Sequence, residues 1–317
     1  MASDLPKVLF TLKVPREHLA PLEGVAEVIM AGEGFKPAPR ERVLEMLVDC
    51  SGLISQGEVR VDAELLDAAP HLKIAANAAM GVDNLDLAEL KRRGIAASNT
   101  PDAFAISTAD HTMGLLLNLT RRISETDRFV RTGEWAKGGM EPLRWESRLA
   151  GSMTLGLIGY GRIAKLVEER AAAFGMNVIH TRSTPSAHEG FRPLDTLLGE
   201  ADVIVILVPL TPATHHLIND ATLAKMKPDT FLINMARGKV MHEAAVVKAL
   251  ESGHLAGAAF DVFEEEPIVN EALFAMDNVV LTPHIAGATR EQREIGRRQA
   301  AENVARCLKG EPLLYPL

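Results

Sequence analysis

The sequence predicts an α/β protein with two domains, in which helices cover parallel β-sheets. Short apolar runs rich in Val, Ile and Leu alternate with longer helical patterns along the chain, a rhythm typical of parallel strands joined by crossover helices. The length of 317 residues exceeds what one hydrophobic core usually organises, so a second domain is expected. A content of 47% hydrophobic and 24% charged residues indicates a folded globular chain.

Apolar runs of strand length and longer helical patterns define the individual elements. The predicted strands cover residues 7–12, 52–54, 72–76, 154–158, 177–181, 202–207, 230–234, 256–261 and 279–281. The longest helical patterns cover residues 104–122 and 291–309. At the start of the second pattern and along it, Arg290, Arg293 and Arg297 lie three or four residues apart, a spacing typical of a solvated helix face.

Charge and cysteine content argue against several classes of partner. The net charge of -8 and a pI near 5.7 leave no basic field for a nucleic acid. Cys50 and Cys307 are too few for a disulfide framework or a paired-cysteine metal site, so no metal is predicted and a reducing compartment is expected. Residues 1–7 show no apolar signal segment, and the apolar run 203–210 is far shorter than the roughly 20 residues that span a bilayer. A cytoplasmic protein without a membrane partner is therefore predicted.

A glycine-rich turn after the predicted strand 154–158 carries a dinucleotide fingerprint. Its sequence is Gly159-Tyr160-Gly161-Arg162-Ile163-Ala164. Gly159 would allow the tight turn, Gly161 would let the backbone approach a pyrophosphate, and Ala164 is small enough for close packing of helix on strand. The phosphates would meet the amide groups at the helix N-terminus. The alternative is an ordinary strand-to-helix turn with two glycines, but its place between a strand and a helix favours cofactor binding.

The end of the next predicted strand, 177–181, indicates which dinucleotide is bound. An Asp or Glu about 20 residues beyond the glycines would take the ribose 2′-hydroxyl of NAD. The sequence instead has Arg182, Ser183 and Thr184, a cation and two hydroxyls that suit the 2′-phosphate of NADP. NADP is therefore the predicted preference and NAD stays possible. The alternative is that Arg182 is a surface arginine in a loop.

Three later segments each place a polar residue shortly after an apolar run. These residues are Arg237, Glu266 and His284. Open parallel sheets bind their ligands at the carboxyl ends of the strands, so we expect the three side chains to converge. Taken singly, Arg237 could be a surface charge and Glu266 a helix cap or salt-bridge partner. His284 could be a structural histidine whose hydrogen bonds are satisfied at a strand end.

Together with the glycine fingerprint, these segments resemble the D-isomer-specific 2-hydroxyacid dehydrogenase family over most of the chain. The resemblance also covers residues 77–86, 99–101 and 208–214. It implies a flavodoxin-like substrate domain of residues 1–102 plus 287–317, a Rossmann dinucleotide domain of residues 103–286, and an active site in the cleft between them. It further implies a homodimer, for which the irregular segment 131–150 is a candidate contact.

The resemblance also assigns roles to residues whose own patterns are less specific. The backbone amides of Met80 and Gly81 would hold the substrate carboxylate, Asp261 would engage the nicotinamide amide, and three residues would lie along the cofactor: Thr108, Pro209 and Met235. Asp261 could otherwise be a strand-end cap, and Thr108 a helix residue packed against its own turn.

The sequence departs from the family pattern at three positions. Ala164 takes the place of the third glycine, Arg182 that of the usual acidic residue, and Asp110 that of a glutamate in many relatives. The change at position 182 puts NAD in doubt rather than the dinucleotide itself, and Asp110 is given no role.

The residue types fit reduction of a small 2-keto acid, of the glyoxylate or hydroxypyruvate type, to its D-2-hydroxy acid. Hydride transfer to the keto carbon builds negative charge on the carbonyl oxygen, which needs a proton donor. His284 would be that acid and Glu266 would orient its ring. Arg237 would pair with the substrate carboxylate and polarise the carbonyl, a role that suits a planar cation. The chirality of the product follows from the resemblance alone.

Two other functions stay open on this fold. One is oxidation of formate or phosphite; Glu266 argues against formate, because that branch replaces the glutamate beside the histidine, whereas phosphite is not excluded. The other is a non-enzymatic protein that senses dinucleotides. It is disfavoured because such proteins carry a long flexible tail, and few residues follow Lys309 in this sequence.

Overall fold

The computed structural model describes residues 5–317. These residues form parallel strands β1 to β11: Lys7–Phe10, Glu27–Met30, Cys50–Ser55, Ile74–Asn77, Ala96–Ser98, Thr154–Ile158, Asn177–Thr181, Val203–Ile206, Thr230–Asn234, Leu255–Phe260 and Val279–Leu281. Helices α1 to α11 are Arg40–Leu47, Ala63–Asp67, Leu87–Arg93, Ala105–Arg121, Ile123–Arg131, Glu134–Gly138, Arg162–Ala173, Leu194–Glu200, Asp220–Leu223, Glu243–Glu251 and Arg290–Lys309. Short 3₁₀ helices occupy Arg16–Leu22, Pro142–Trp145, Ala150–Ser152, Gly238–Val240 and Glu271–Ala275.

The chain divides into two compact units. Unit 1 comprises Met1–Phe104 with Ala288–Leu317, and unit 2 comprises Ala105–Gly287. Each unit has its own parallel sheet and its own hydrophobic core on both faces of that sheet. An α/β fold with parallel sheets covered by helices, predicted from the sequence, is therefore confirmed.

The sheet of unit 1 has the strand order β2-β1-β3-β4-β5. Successive side chains of a strand point to opposite faces, so Leu9 joins the apolar cluster on one side while Val8 and Phe10 join the cluster on the other. On the second side, α11 supplies the small residues Ala300 and Ala301, which are fully buried. Burial on both faces explains why these strands appear in the sequence as continuous apolar runs.

The sheet of unit 2 has the strand order β11-β10-β9-β8-β6-β7. From β6 the chain goes first to β7 on one side and then to β8 on the other, so the order reverses between β6 and β8. Such a reversal opens a crevice at the carboxyl ends of the two strands, where open α/β sheets bind their ligands. The turn with the glycine fingerprint follows β6 and therefore lies at this point.

The structure confirms the predicted strands and both long helices, with small shifts at several ends, and adds two strands that the sequence pattern did not show. β2 is an edge strand of four residues whose side chains are half-buried or exposed, so its alternation is weak. β5 consists of two alanines and a serine and lacks the large β-branched residues that mark a strand. Neither omission changes the fold class.

None of the helices within residues 5–317 combines the length and the apolar character that a bilayer-spanning helix requires.

A buried asparagine on α11 holds the C-terminal segment of unit 1. The Asn303 side-chain oxygen accepts hydrogen bonds from the backbone amides of Leu314 (2.8 Å) and Tyr315 (3.3 Å). Beyond them, the amide of Leu317 donates to the carbonyl of Ala97 at 3.0 Å, beside β5. The side chain of one residue thus fixes the segment that covers this edge of the sheet.

We expect Asn303→Ala to lower the free energy of unfolding by about 1–3 kcal/mol, because the half-buried amides of Leu314 and Tyr315 would lose their acceptor and Asn303 itself is fully buried. Chemical denaturation of the wild type and the variant measures this difference. Glu302→Ala, next to it on α11, removes only a half-exposed ion pair with Arg306 and should cost less than about 1 kcal/mol. Equal losses in the two variants would contradict the role given to Asn303.

Candidate active site

The turn after β6 has the backbone geometry that a dinucleotide needs. Gly159 has a φ of 100°, and a Cβ at this position would lie 2.7 Å from the carbonyl oxygen of Leu207, so only glycine fits. Gly161 caps α7 without a side-chain hydrogen bond, and a Cβ there would meet no atom within 4 Å. The space beside Gly161 at the start of α7 is therefore open, as a phosphate site at a helix N-terminus requires. Ala164 is buried in the core beneath the turn, and Ile163 packs against that core.

Tyr160, the second residue of this turn, is held by its own surroundings. Its ring stacks on buried His180 with centroids 3.5 Å apart, and its hydroxyl donates to the carboxylate of Glu168. Burial, followed by the bond to Glu168, raises the pKa of Tyr160 to about 12. Burial and the nearby charge of His188 lower the pKa of His180. The phenol is therefore neutral at physiological pH and braces the turn through its side chain.

The residues predicted to contact the adenosine ribose lie at the end of β7. Arg182, Ser183 and Thr184 follow the strand directly and are exposed. Within residues 5–317, no carboxylate lies within ion-pair distance of the Arg182 guanidinium. A cation and two hydroxyls are thus presented at the carboxyl edge of the strand beside the glycine turn.

The loop after β9 carries Arg237 in a braced conformation. Buried Asn234 donates from its side chain to the carbonyl of Arg237 at 3.0 Å and accepts from the amide of Ala236 at 3.0 Å. Gly238 follows, and a Cβ at this position would come within 1.8 Å of the Phe263 carbonyl group. The loop after β9 is therefore pressed against the loop after β10.

Glu266 and His284 form a hydrogen-bonded pair. Glu266 Oε2 lies 2.8 Å from His284 Nδ1, while Oε1 accepts from the amide of Phe263 at 3.0 Å. Burial alone would raise the pKa of Glu266, but the hydrogen bond from His284 and the positive charges of His284 and Arg237 outweigh it, so the pKa is lowered. The carboxylate is ionised at neutral pH. Arg237, Glu266 and His284, three separate predictions from the sequence, are close enough to interact electrostatically.

Buried Asp261 organises the loop that carries His284. Its carboxylate accepts hydrogen bonds from the amides of Ile285 (2.8 Å) and Ala286 (2.9 Å) and from the hydroxyl of Thr282 (2.6 Å). The amide of His284, whose φ of 53° is left-handed, donates to the Asp261 carbonyl at 2.8 Å. These contacts match the strand-end cap that was the alternative for Asp261. Its contact with the nicotinamide amide stays a prediction.

The remaining predicted cofactor residues occupy different environments. Thr108 is buried on α4, where its carbonyl accepts from the hydroxyl of Thr112. Pro209 follows β8 and is exposed, and Met235 follows β9 and is buried. Pro209 and Met235 thus lie at the same edge of the sheet as the glycine turn, and all three roles stay predictions.

In unit 1, Met80 and Gly81 follow β4 and are held through their carbonyl groups. The Met80 carbonyl accepts from Asn99 at 2.7 Å and the Gly81 carbonyl from Asn77 at 3.1 Å. Within the described part of the chain, neither backbone amide has a hydrogen-bond acceptor. These amides are therefore available to an anion, as their predicted role requires.

The chain is similar to enzymes of known family along nearly its whole length. Residues 113–286 match the model of the D-isomer specific 2-hydroxyacid dehydrogenase, NAD binding domain. The chain belongs to the D-isomer-specific 2-hydroxyacid dehydrogenase family. It is thus an oxidoreductase that uses a nicotinamide dinucleotide and a small keto or hydroxy acid.

Individual relatives agree with this assignment. A glyoxylate reductase of Thermococcus onnurineus is 44% identical, with 96% of this chain and 94% of the relative covered. The solved TT0316 protein of Thermus thermophilus is 38% identical, with a TM-score of 0.90 and coverage of 98% and 99%. An NADPH-dependent glyoxylate/hydroxypyruvate reductase of Sinorhizobium meliloti, solved with NADP and malonate, is 33% identical, with a TM-score of 0.86 and coverage of 98% and 96%.

The sequence analysis missed a second imidazole–carboxylate pair in this dehydrogenase. His216 Nε2 lies 2.6 Å from Glu264 Oε1, and Glu264 Oε2 accepts from the amide of Glu243 at 3.0 Å. The amide of His216 donates to the carbonyl of Lys239 at 2.9 Å. His216 therefore ties the loop after β8 to the loops that carry Arg237 and Glu266. Spacing along the sequence gives no signal for this pair, because its partners are 48 residues apart.

His111 was also missed. It lies on α4, and its Nε2 is 3.1 Å from the hydroxyl of Thr282 and 3.6 Å from a carboxylate oxygen of Asp261. His111 thus contacts two residues, Thr282 and Asp261, that hold the loop of His284. Within residues 5–317, no group of three or more His, Cys, Asp or Glu side chains has the arrangement of a metal site.

We expect His216→Leu to lower kcat for keto-acid reduction by about tenfold or more, because Glu264 would lose its partner and the adjoining Glu266 would shift out of position. Steady-state assays measure kcat and the KM of the cofactor, and the latter should change little. His215→Leu alters the exposed neighbouring histidine and should leave kcat unchanged. A His216→Leu enzyme with wild-type kcat would contradict the positioning role.

Proposed function

We propose that this dehydrogenase reduces a short 2-keto acid of the glyoxylate or hydroxypyruvate type to the D-2-hydroxy acid, with NADPH as the preferred reductant. The observation that carries the proposal is the hydrogen bond between His284 Nδ1 and Glu266 Oε2, which are 2.8 Å apart. The Glu266 carboxylate is ionised, and Arg237 is near enough for its positive charge to act on that carboxylate. The names of the relatives, glyoxylate reductase and glyoxylate/hydroxypyruvate reductase, support this substrate class.

The Glu266–His284 pair suits His284 to proton transfer. Because Nδ1 shares its hydrogen with the Glu266 carboxylate, Nε2 is the ring nitrogen left to hold a proton for the substrate oxygen. The carboxylate also offsets the positive charge that the ring carries when protonated. In the reverse direction the same nitrogen accepts the hydroxyl proton. The reduced nicotinamide supplies the hydride when it is bound.

Arg237 suits recognition of the keto acid. Its planar guanidinium can pair with the substrate carboxylate through two parallel hydrogen bonds and polarise the keto oxygen. Asn234 and Gly238 restrict the backbone on either side of it, so that little conformational freedom is lost on binding. The free amides of Met80 and Gly81 are the second proposed carboxylate donors.

The cofactor would be held by the turn after β6 and the end of β7. Gly159, Gly161 and the first amides of α7, which begins with Arg162, fit the pyrophosphate. Exposed Arg182 supports the preference for NADP, because a guanidinium without a carboxylate partner among residues 5–317 suits a 2′-phosphate.

A homodimer and a cytoplasmic location are part of the same proposal. The segment 131–150 exposes large apolar side chains: Trp135, Met140, Leu143 and Leu149. Clustered exposed apolar residues are typical of an interface between proteins. Cys50 and Cys307 are unpaired thiols, as expected in a reducing compartment.

The function is tested by following the oxidation of NADPH with glyoxylate, hydroxypyruvate and pyruvate as acceptors. We expect turnover with at least one acid, and His284→Ala should reduce kcat by about a hundredfold or more, because the positioned proton donor is lost. His71→Ala, which alters an exposed histidine, is the control. No turnover with any acid, or oxidation of phosphite instead, would overturn the proposal.

The cofactor preference is tested at Arg182. We expect Arg182→Asp to raise the KM for NADPH by about tenfold or more and the KM for NADH much less, because only NADPH carries the 2′-phosphate. NADH serves as the internal control for damage to the fold. An equal change for both cofactors would show that Arg182 does not contact the phosphate.

A further inference from the structure

Two arginines of α11 form an unneutralised positive cluster in unit 1. The sequence predicts that Arg290, Arg293 and Arg297 form a solvated face. Arg290 is exposed, but Arg293 and Arg297 are half-buried, so the prediction is wrong for these two. They lie one helical turn apart on the same face.

The hydrogen-bond partners of Arg297 are an amide oxygen and an imidazole nitrogen rather than a carboxylate. Its Nε donates to Gln56 Oε1 at 2.8 Å, and its Nη1 lies 3.3 Å from His18 Nδ1. Burial, followed by the charge of Arg293, lowers the pKa of Arg297. Half-buried charges normally have a partner of opposite sign, because transfer out of water is costly without one.

No carboxylate of the described chain, residues 5–317, lies within ion-pair distance of either guanidinium. The acidic residue nearest to Gln56 in the same loop is Glu58. One of its carboxylate oxygens accepts from the Gln56 amide at 2.7 Å and the other from the hydroxyl of Thr11. Glu58 is thus engaged with the backbone and with Thr11, and the positive charge of Arg293 and Arg297 stays uncompensated.

The contacts of Arg297 place this charge where a sheet of this order binds ligands. In the order β2-β1-β3-β4-β5, the chain reverses direction between β1 and β3. His18 lies in the 3₁₀ helix Arg16–Leu22 that follows β1, and Gln56 directly follows β3. Arg297 therefore contacts both loops of the topological switch point, the usual binding crevice of open α/β sheets.

We propose that Arg293 and Arg297 form a binding site for an oxyanion, a carboxylate or a phosphate, and that this oxyanion is the distal group of a 2-keto acid. The assignment to a keto acid rests on the proposed function, whereas oxyanion binding does not. The site extends the substrate class from glyoxylate to longer acids with a second negative group.

A short chain of contacts connects this site with the amides proposed to hold the substrate carboxylate. Gln56 adjoins Ser55, whose hydroxyl donates to Asn77 Oδ1 at 3.0 Å, and Asn77 donates to the Gly81 carbonyl at 3.1 Å. Ser55 and Asn77 are paired at the ends of neighbouring strands. The two anion sites thus share one edge of one sheet, as the two ends of a single small molecule require.

The first arm of the test measures binding of inorganic phosphate by calorimetry, without cofactor or substrate. We expect Arg297→Met to weaken phosphate binding by about tenfold or more and Arg293→Gln by about threefold or more, since each removes a cation from the site. Arg298→Met removes the same charge from an exposed position of α11 and should change nothing. Arg297→Met also loses the two hydrogen bonds to Gln56 and His18, so the loss of charge must be separated from a loss of folding. Arg297→Lys keeps the positive charge at this position. Arg293→Gln removes one charge of the site and leaves both hydrogen bonds of Arg297 in place.

The second arm compares kcat/KM for glyoxylate with kcat/KM for 2-oxoglutarate and 3-phosphohydroxypyruvate. We expect Arg297→Met to lower kcat/KM for the acids with a second negative group by about tenfold or more relative to any change in kcat/KM for glyoxylate. If Arg297→Met loses phosphate binding but changes kcat/KM by the same factor for all acids, the keto-acid assignment would be overturned. The cluster would then be a site for a free anion. Unchanged phosphate binding in both arginine variants would overturn the site itself. A protein that reduces none of the acids would refute the proposed function, and the first arm would still decide on the oxyanion.

Discussion

Parallel pairing makes all strands of a sheet end at the same edge, and the chemistry of this protein depends on that constraint. In unit 2, neighbouring strands β9, β10 and β11 bring Arg237, Glu266 and His284 to one edge although they are far apart in the sequence. The glycine turn follows β6 at the same edge. Had any one of these strands run antiparallel, its loop and its functional side chain would lie at the other end of the sheet.

Two buried polar side chains, Asn234 and Asp261, and the half-buried Glu264 hold these loops in fixed conformations. Asn234, Asp261 and Glu264 each accept hydrogen bonds from backbone amides of the loops that carry or adjoin the reactive groups. A buried acceptor is costly unless it is hydrogen-bonded, so each of these contacts favours a single loop conformation. The left-handed backbone of His284 persists because Asp261 holds it from two sides.

Much of the fold and part of the site could be predicted from the sequence because their signals are local. Strands with continuous apolar character, such as Thr230–Asn234, were recognised with their ends, and Arg237, Glu266 and His284 follow such strands closely. The pair His216–Glu264 and the burial of Arg297 are products of tertiary contact, and local spacing does not encode them. β2 and β5 were missed because an edge strand and an alanine-rich strand lack the apolar pattern. The sequence is compatible with two roles for Asp261, and its contacts in the structure match that of a strand-end cap.

The close approach of Gly238 to the Phe263–Glu264 peptide makes the loops of Arg237 and Glu266 a single mechanical body. A mutation that shifts one of them moves the other, so the arginine and the acid–base pair cannot be adjusted independently. Evolution toward new substrates would then find its freedom at other positions, among them the loops after β3 and β4 of unit 1, which carry the amides proposed to bind the substrate carboxylate and the glutamine that contacts Arg297. A laboratory search for altered specificity has the same reason to diversify those loops first.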